Sequence, residues 1–154
     1  MGQKECLAQC VADFLDSKGW NYVRRGDDNN MFVVETHVNC MINFVRLVFL
    51  ASDNLIQSVA IVPIKASEAV RANVAEYITR INFGKSTGRF EMDYSDGEVR
   101  SYSYLLCSDG IPPVADVEQI ITMPLVLIRR YGDGLAKTLM GAGTPEENAK
   151  TPFK

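Results

Sequence analysis

The sequence predicts an α+β domain in which an antiparallel sheet carries three helices. Apolar residues recur at helical spacing in three separate stretches, and the chain between them breaks into short runs of Val, Ile and Phe separated by turn residues. A third observation sets the sense of the sheet. Arg89 to Tyr94 alternates strictly and is followed by Asp96-Gly97, a pair suited to the two central positions of a type I′ turn, where both φ angles are positive, so a hairpin is expected.

Taken in order, Leu7, Cys10, Val11, Phe14 and Leu15 follow the i, i+3, i+4, i+7, i+8 spacing of one helical face, and Lys18-Gly19 supplies a stop, which predicts a first helix over 3–18. Strands are expected near 20–25, 31–38, 42–51 and 55–62, with turn clusters at 26–30 and 52–54. The strand over 44–50 is apolar on both faces: Val45, Leu47 and Phe49 on one, Phe44, Val48 and Leu50 on the other, with Arg46 as the exception. Such a strand expects cover on both sides. Ser67 caps a second helix whose buried stripe is Val70, Val74, Tyr77, Ile78 and Ile81. In the hairpin, a two-residue turn pairs Tyr94 with Val99, Met92 with Ser101 and Phe90 with Ser103 on a core side, and Asp93 with Arg100, Glu91 with Tyr102 and Arg89 with Tyr104 on a polar side. A long third helix follows Pro112-Pro113, marked by Val117, Ile120, Ile121, Leu125, Ile128, Tyr131 and Leu135. Pro124 lies inside it, and because an interior proline costs about 3 kcal/mol, a kink is expected, or a restart capped by Thr122.

With 154 residues the chain holds one domain, expected over 1–140, and the small, polar, proline-punctuated segment 141–154 is expected to be a disordered tail. Lys plus Arg number 16 against 19 Asp plus Glu, a net charge of −3, and the basic residues are scattered, which argues against nucleic acid as a partner. The longest apolar runs fall far short of the ~20 residues that span a bilayer, so no membrane partner is expected. Gln9 and Asp13 interrupt what would otherwise be a signal-peptide core, and four cysteines then fit a reducing, cytoplasmic setting without disulfides.

Chemistry-bearing motifs are sparse. Gly84-Lys85-Ser86 resembles the end of a phosphate-binding loop, but Thr79 stands where that motif requires glycine and a helix precedes it where a strand should, so a polar loop is expected. Cys6, Cys10, His37 and Cys40 could on paper assemble a zinc site, although Cys10 lies in an apolar stripe and strand alternation turns His37 and Cys40 to opposite faces. His37 is the single histidine, and neither Cys40 nor Cys107 sits in a known catalytic signature. Glu91 and Asp93 are explained by cross-strand pairing without chemistry.

Three short segments carry a family resemblance: Tyr77-Ile78-Thr79-Arg80-Ile81-Asn82, Gly88-Arg89-Phe90-Glu91-Met92-Asp93, and Asp96-Gly97-Glu98-Val99. With the order helix, antiparallel strands, helix, hairpin, long helix, they resemble the YbjN-type domain, a family described as sensory transduction regulators and similar in fold to type III secretion chaperones. The resemblance covers about residues 3–140. It implies a small α+β homodimer that binds other proteins, catalyses nothing and needs no cofactor.

The expected function is therefore a non-enzymatic protein-interaction or chaperone-like domain, with a regulatory role. The alternative is a metal- or redox-responsive regulator using Cys6, Cys10, His37 and Cys40. Beside the buried stripe of the third helix, Val126 and Leu127 extend its apolar surface, so these two residues, or one face of the 44–50 strand, are expected at an isologous dimer interface. Tyr102 and Tyr104, side by side on the polar face of the hairpin, are the expected surface for a protein client or regulatory partner.

Overall fold

A computed structural model describes residues 2–150. The element order is α1 (Gln3–Ser17), β1 (Val23–Arg25), β2 (Met31–His37), β3 (Phe44–Ala51), β4 (Leu55–Ile61), α2 (Glu68–Asn82), β5 (Arg89–Met92), β6 (Val99–Leu106), α3 (Val114–Leu139) and α4 (Pro145–Ala149). The strands form one six-stranded sheet in the order β1-β2-β3-β4-β6-β5, with antiparallel pairing throughout. The α+β antiparallel architecture is the one the sequence predicts, with one helix more.

Helix α1 ends at the expected stop, where the Trp20 N–H donates to the Leu15 carbonyl at 3.0 Å and satisfies a carbonyl the helix would otherwise leave open. Its stripe of Leu7, Val11, Phe14 and Leu15 is buried. Ser67 stands at the N-cap of α2 but its side chain makes no capping hydrogen bond. The predicted stripe of α2 is buried at Val74, Tyr77, Ile78 and Ile81. Asn82 closes that helix onto the hairpin: its amide donates to the Phe90 carbonyl at 2.8 Å and its carbonyl accepts the Phe90 N–H at 2.9 Å.

The hairpin register differs from the expected one. Arg89 pairs with Tyr102, Phe90 with Ser101, Glu91 with Arg100 and Met92 with Val99. The reason is the turn. Residues 94–97 form the loop, in which only Gly97 has positive φ, at 82°. The Asp93 carboxylate accepts both the Ser95 N–H at 2.9 Å and the Ser95 hydroxyl at 2.6 Å, and these bonds hold its pKa below the usual carboxylate value. These local bonds favour the wider loop over a two-residue turn. Because the shift is two residues, the side chains that remain in the ladder keep their predicted faces; Tyr94, expected on the core side opposite Val99, falls in the loop instead and is 59% exposed.

Helix α3 runs unbroken through Pro124, so neither the expected restart at Thr122 nor a break occurs; the Thr122 hydroxyl instead donates to the Glu118 carbonyl at 2.8 Å. Pro124 is buried. Its missing N–H costs the helix one hydrogen bond in this turn. Beside that turn the buried Ser58 hydroxyl donates to the Ile121 carbonyl at 3.2 Å. The helix reaches the sheet there because Ser58, Ala60, Ser101 and Ser103, all small and buried, lie on the facing strands. The Ser101 hydroxyl, in contrast, has no hydrogen-bond partner among the described residues. Removing each hydroxyl should therefore move stability in opposite directions: Ser58→Ala is expected to cost about 1 kcal/mol, whereas Ser101→Ala should be neutral or stabilise by about 1 kcal/mol, since an unpaired buried hydroxyl carries an uncompensated desolvation cost. Urea denaturation of the two variants reads the difference, and equal losses would contradict it.

The tail is corrected for residues 141–150. Thr144 caps α4 with its hydroxyl, accepting the Glu147 N–H at 3.1 Å, and Pro145 is buried. The Asn148 amide donates to the Thr138 hydroxyl at 3.0 Å and to the Ala142 carbonyl at 2.8 Å, which ties the segment back to α3. A polar, proline-marked segment is thus ordered by a capping box and one asparagine. Residues 151–154 of the expected tail lie outside the described residues.

Candidate functional site

Alternation along each strand sends one set of side chains toward the helices and the other set away from them. Toward the helices point Phe32, Val34, Val45, Leu47, Phe49, Ile56, Ala60 and Phe90, all buried. Among the described residues, the opposite face has no helix over it and not one fully buried residue.

The register places the outer residues in rows across the strands. Val23, Val33, Val48, Val59 and Tyr102 are successive neighbours from β1 to β6, and Arg89 of β5 ends the row. On one side of it, Met31, Leu50, Gln57 and Tyr104 form a second row, with Leu55 and Leu106 paired beyond. On the other side lie Glu35, Arg46, Ile61, Arg100 and Glu91, in which Arg46 donates to Glu35 at 2.9 Å and Glu91 is shared by Arg89 and Arg100. The outer face is thus an apolar band bordered by ion pairs. Val23 and Tyr104 are each 49% exposed and Leu106 is 63% exposed.

The expected partner-binding residues both lie on this face. Their rings stand 6.0 Å apart at 34°, Tyr102 is half-buried, and its hydroxyl accepts from the Gln57 amide at 2.8 Å. The Arg89 guanidinium stacks 4.3 Å from the centre of the Tyr102 ring. Sequence reading singled out only β3 as two-faced. It missed Val33 and Val59, although Met31 to Val34 and Leu55 to Ile61 carry the same signal of apolar residues at both parities.

The expectation for Val126 and Leu127 divides. Val126 is 47% exposed, but Leu127 is only 6% exposed and belongs to the core, where it packs close to Gly88 at the start of the hairpin. Residues one apart on a helix point about 100° apart, and the second of these turns inward. Leu127 is therefore not offered to a partner, and of the two expected interface sites the outer face of β3 is the one with several apolar residues in a row.

The cysteine-based alternative is not assembled. Among the described residues no three His, Cys, Asp or Glu side chains are placed to hold a metal, so Cys6, Cys10, His37 and Cys40 do not form a site. Cys40 lies instead against Gly132 of α3, and the His37 ring meets the Phe44 ring edge-on at 6.0 Å. Burial pushes the Cys10 and Cys107 thiols above their usual pKa, which reduces the thiolate that redox chemistry uses. Lys85, of the loop resembling a phosphate-binding motif, donates to the Tyr131 hydroxyl at 2.6 Å. No helix among the described residues is long and apolar enough to cross a membrane.

An antiparallel sheet with every helix of the described residues on one side defines the class of this protein as a one-sided α+β sheet domain. The fold is of the YbjN type: the crystal structure of YbjN from E. coli matches with a TM-score of 0.57 at 14% identity, over 81% of this chain and 90% of that one. No family model and no curated protein matches the chain in sequence.

Proposed function

We propose that the chain is a non-enzymatic protein-docking domain of the cytoplasm, acting as a homodimer with a regulatory or chaperone-like role. The observation that carries the reading is the uncovered outer face, with Val33, Val48, Val59 and Tyr102 in one unbroken row. Contiguous apolar surface of this kind marks an interaction site in soluble proteins. A second copy suits the central strands, because the ion-paired border offers both signs of charge and a two-fold axis brings each patch onto its own image. A protein client suits the hairpin end, where Tyr102 and Tyr104 combine ring area with hydroxyls.

Sedimentation at micromolar concentration tests the assembly. The wild type should run as a dimer, and Val48→Arg should convert it to a 17.1 kDa monomer with an unchanged far-ultraviolet spectrum. A wild type that is already monomeric overturns the dimer. For the client surface, Tyr102→Ala combined with Tyr104→Ala should weaken capture of client proteins while leaving the melting temperature nearly unchanged; an unfolded double variant would instead assign the tyrosines to the core.

A further inference from the structure

A cleft of about 350 Å³ opens where the α2–β5 loop meets the outer face of the hairpin, lined by Lys85, Ser86, Gly88, Arg89, Tyr102 and Tyr104. Two features set it apart from the rest of the surface. The first is charge. The lining supplies two cations and no carboxylate, and Glu91, ion-paired with Arg89 at 3.1 Å, is shared with Arg100. The Lys85 ammonium rests on the Tyr131 phenol, 2.6 Å from its oxygen and 4.0 Å from its ring centre, and so is not neutralised by an acid. A positive cleft thus sits on a chain whose net charge is −3. The second feature is the wall. The Tyr102 and Tyr104 rings, 6.0 Å apart, form a continuous aromatic surface that Arg89 covers only at Tyr102, leaving Tyr104 half exposed.

We propose that this cleft binds a small planar aromatic anion, a ring bearing a carboxylate or phosphate group. The ring lies against Tyr104, where offset stacking at about 4.5–7 Å between centroids is favourable. The anionic oxygens meet the Arg89 guanidinium, whose planar fork matches them, with Lys85 and the Ser86 hydroxyl as further donors. The volume falls at the small end of the range of about 300–1,000 Å³ typical of small-molecule sites, which suits one ring and one charged group. The loop that resembles a phosphate-binding motif thus contributes an ammonium and a hydroxyl, without that motif's backbone cradle. The site shares Tyr102 and Tyr104 with the surface proposed above for a protein client, so a ligand seated here and a client compete for the same rings.

The test uses the full chain, isotope-labelled, titrated by NMR with phenyl phosphate, benzoate, inorganic phosphate and benzyl alcohol. Phenyl phosphate or benzoate should shift the backbone signals of residues 85–89 and 102–104. Inorganic phosphate and benzyl alcohol, each carrying half of the recognition, should bind at least about tenfold more weakly. Arg89→Gln and Lys85→Gln should each reduce the affinity about fivefold or more with the amide spectrum otherwise preserved. No shift up to about 10 mM ligand, or shifts that Arg89→Gln leaves unchanged, overturns the site. Equal binding of inorganic phosphate overturns its aromatic half. Tighter binding of a phosphotyrosine peptide than of phenyl phosphate would reassign the site from a small molecule to a protein ligand.

Discussion

Gly97→Ala is expected to cost on the order of 3 kcal/mol or more, and the same change at Gly84 only about 1 kcal/mol, although both glycines have positive φ. Gly97 has φ 82° and Gly84 has φ 79°, so the backbone strain introduced by a Cβ is similar at the two sites. Their surroundings differ. A Cβ on Gly84 meets nothing within 4 Å, whereas one on Gly97 runs into the backbone of Ala66. Ala66 cannot retreat easily, because its N–H donates to the Gly97 carbonyl at 2.8 Å and its own carbonyl accepts from Arg71 at 3.0 Å. Arg71 also donates to the Tyr94 carbonyl at 3.1 Å, so displacing Ala66 loosens the hairpin loop from the start of α2. Chemical denaturation of the two variants side by side gives the comparison directly. Equal losses would mean that the loop is free of α2 in solution.

The second large effect concerns adjacent residues of β3 on opposite faces. Phe49→Ala should destabilise by about 3–5 kcal/mol, since it empties a buried ring volume among residues held by both sheet and helices. Phe49 is fully buried, beside Phe32 and Ser58 on the neighbouring strands. Val48→Ala should cost the monomer about 1 kcal/mol, because Val48 is half-buried on the uncovered face and leaves no closed cavity. If a dimer forms on that face, Val48→Ala also lowers the midpoint more at low protein concentration than at high, a dependence that Phe49→Ala does not enhance. A Val48 effect as large as that of Phe49 at every concentration would show the outer face to be covered within one chain.

The outer face was only partly legible in the sequence. The two-faced pattern of β3 could be read, and so could Tyr102 and Tyr104, because alternation alone decides which side of a strand a residue occupies. Joining them through Val33 and Val59 required the strand order, in which β4 lies between β3 and β6 while β5 is placed at the edge. Periodicity carries no information about which strands are neighbours when their connections are long. The cleft depends on the observed β5–β6 register, which sets Arg89 opposite Tyr102 where the sequence predicted Tyr104, and on the α2–β5 loop that brings Lys85 alongside.

The sequence by itself determined the α+β class, the existence and bounds of nearly every helix and strand, the faces of the hairpin residues that stay in the ladder and the buried stripes of α1 and α2. These follow from apolar periodicity, turn residues and helix stops, all of which act within a few residues. Only the tertiary structure decided the hairpin register, where side-chain acceptors at Asp93 and Asp96 widened the turn; the passage of α3 through Pro124, which is buried within the continuous helix; and the ordering of α4 by Asn148. It also decided the inward turn of Leu127 and the close approach of Tyr77 and α4 to Gly134, where a Cβ would collide with the Tyr77 hydroxyl. The physical reason is common to all of these: each depends on which surface meets an element from a distant part of the chain, and a side chain whose local pattern permits two roles takes the one its distant neighbours leave open.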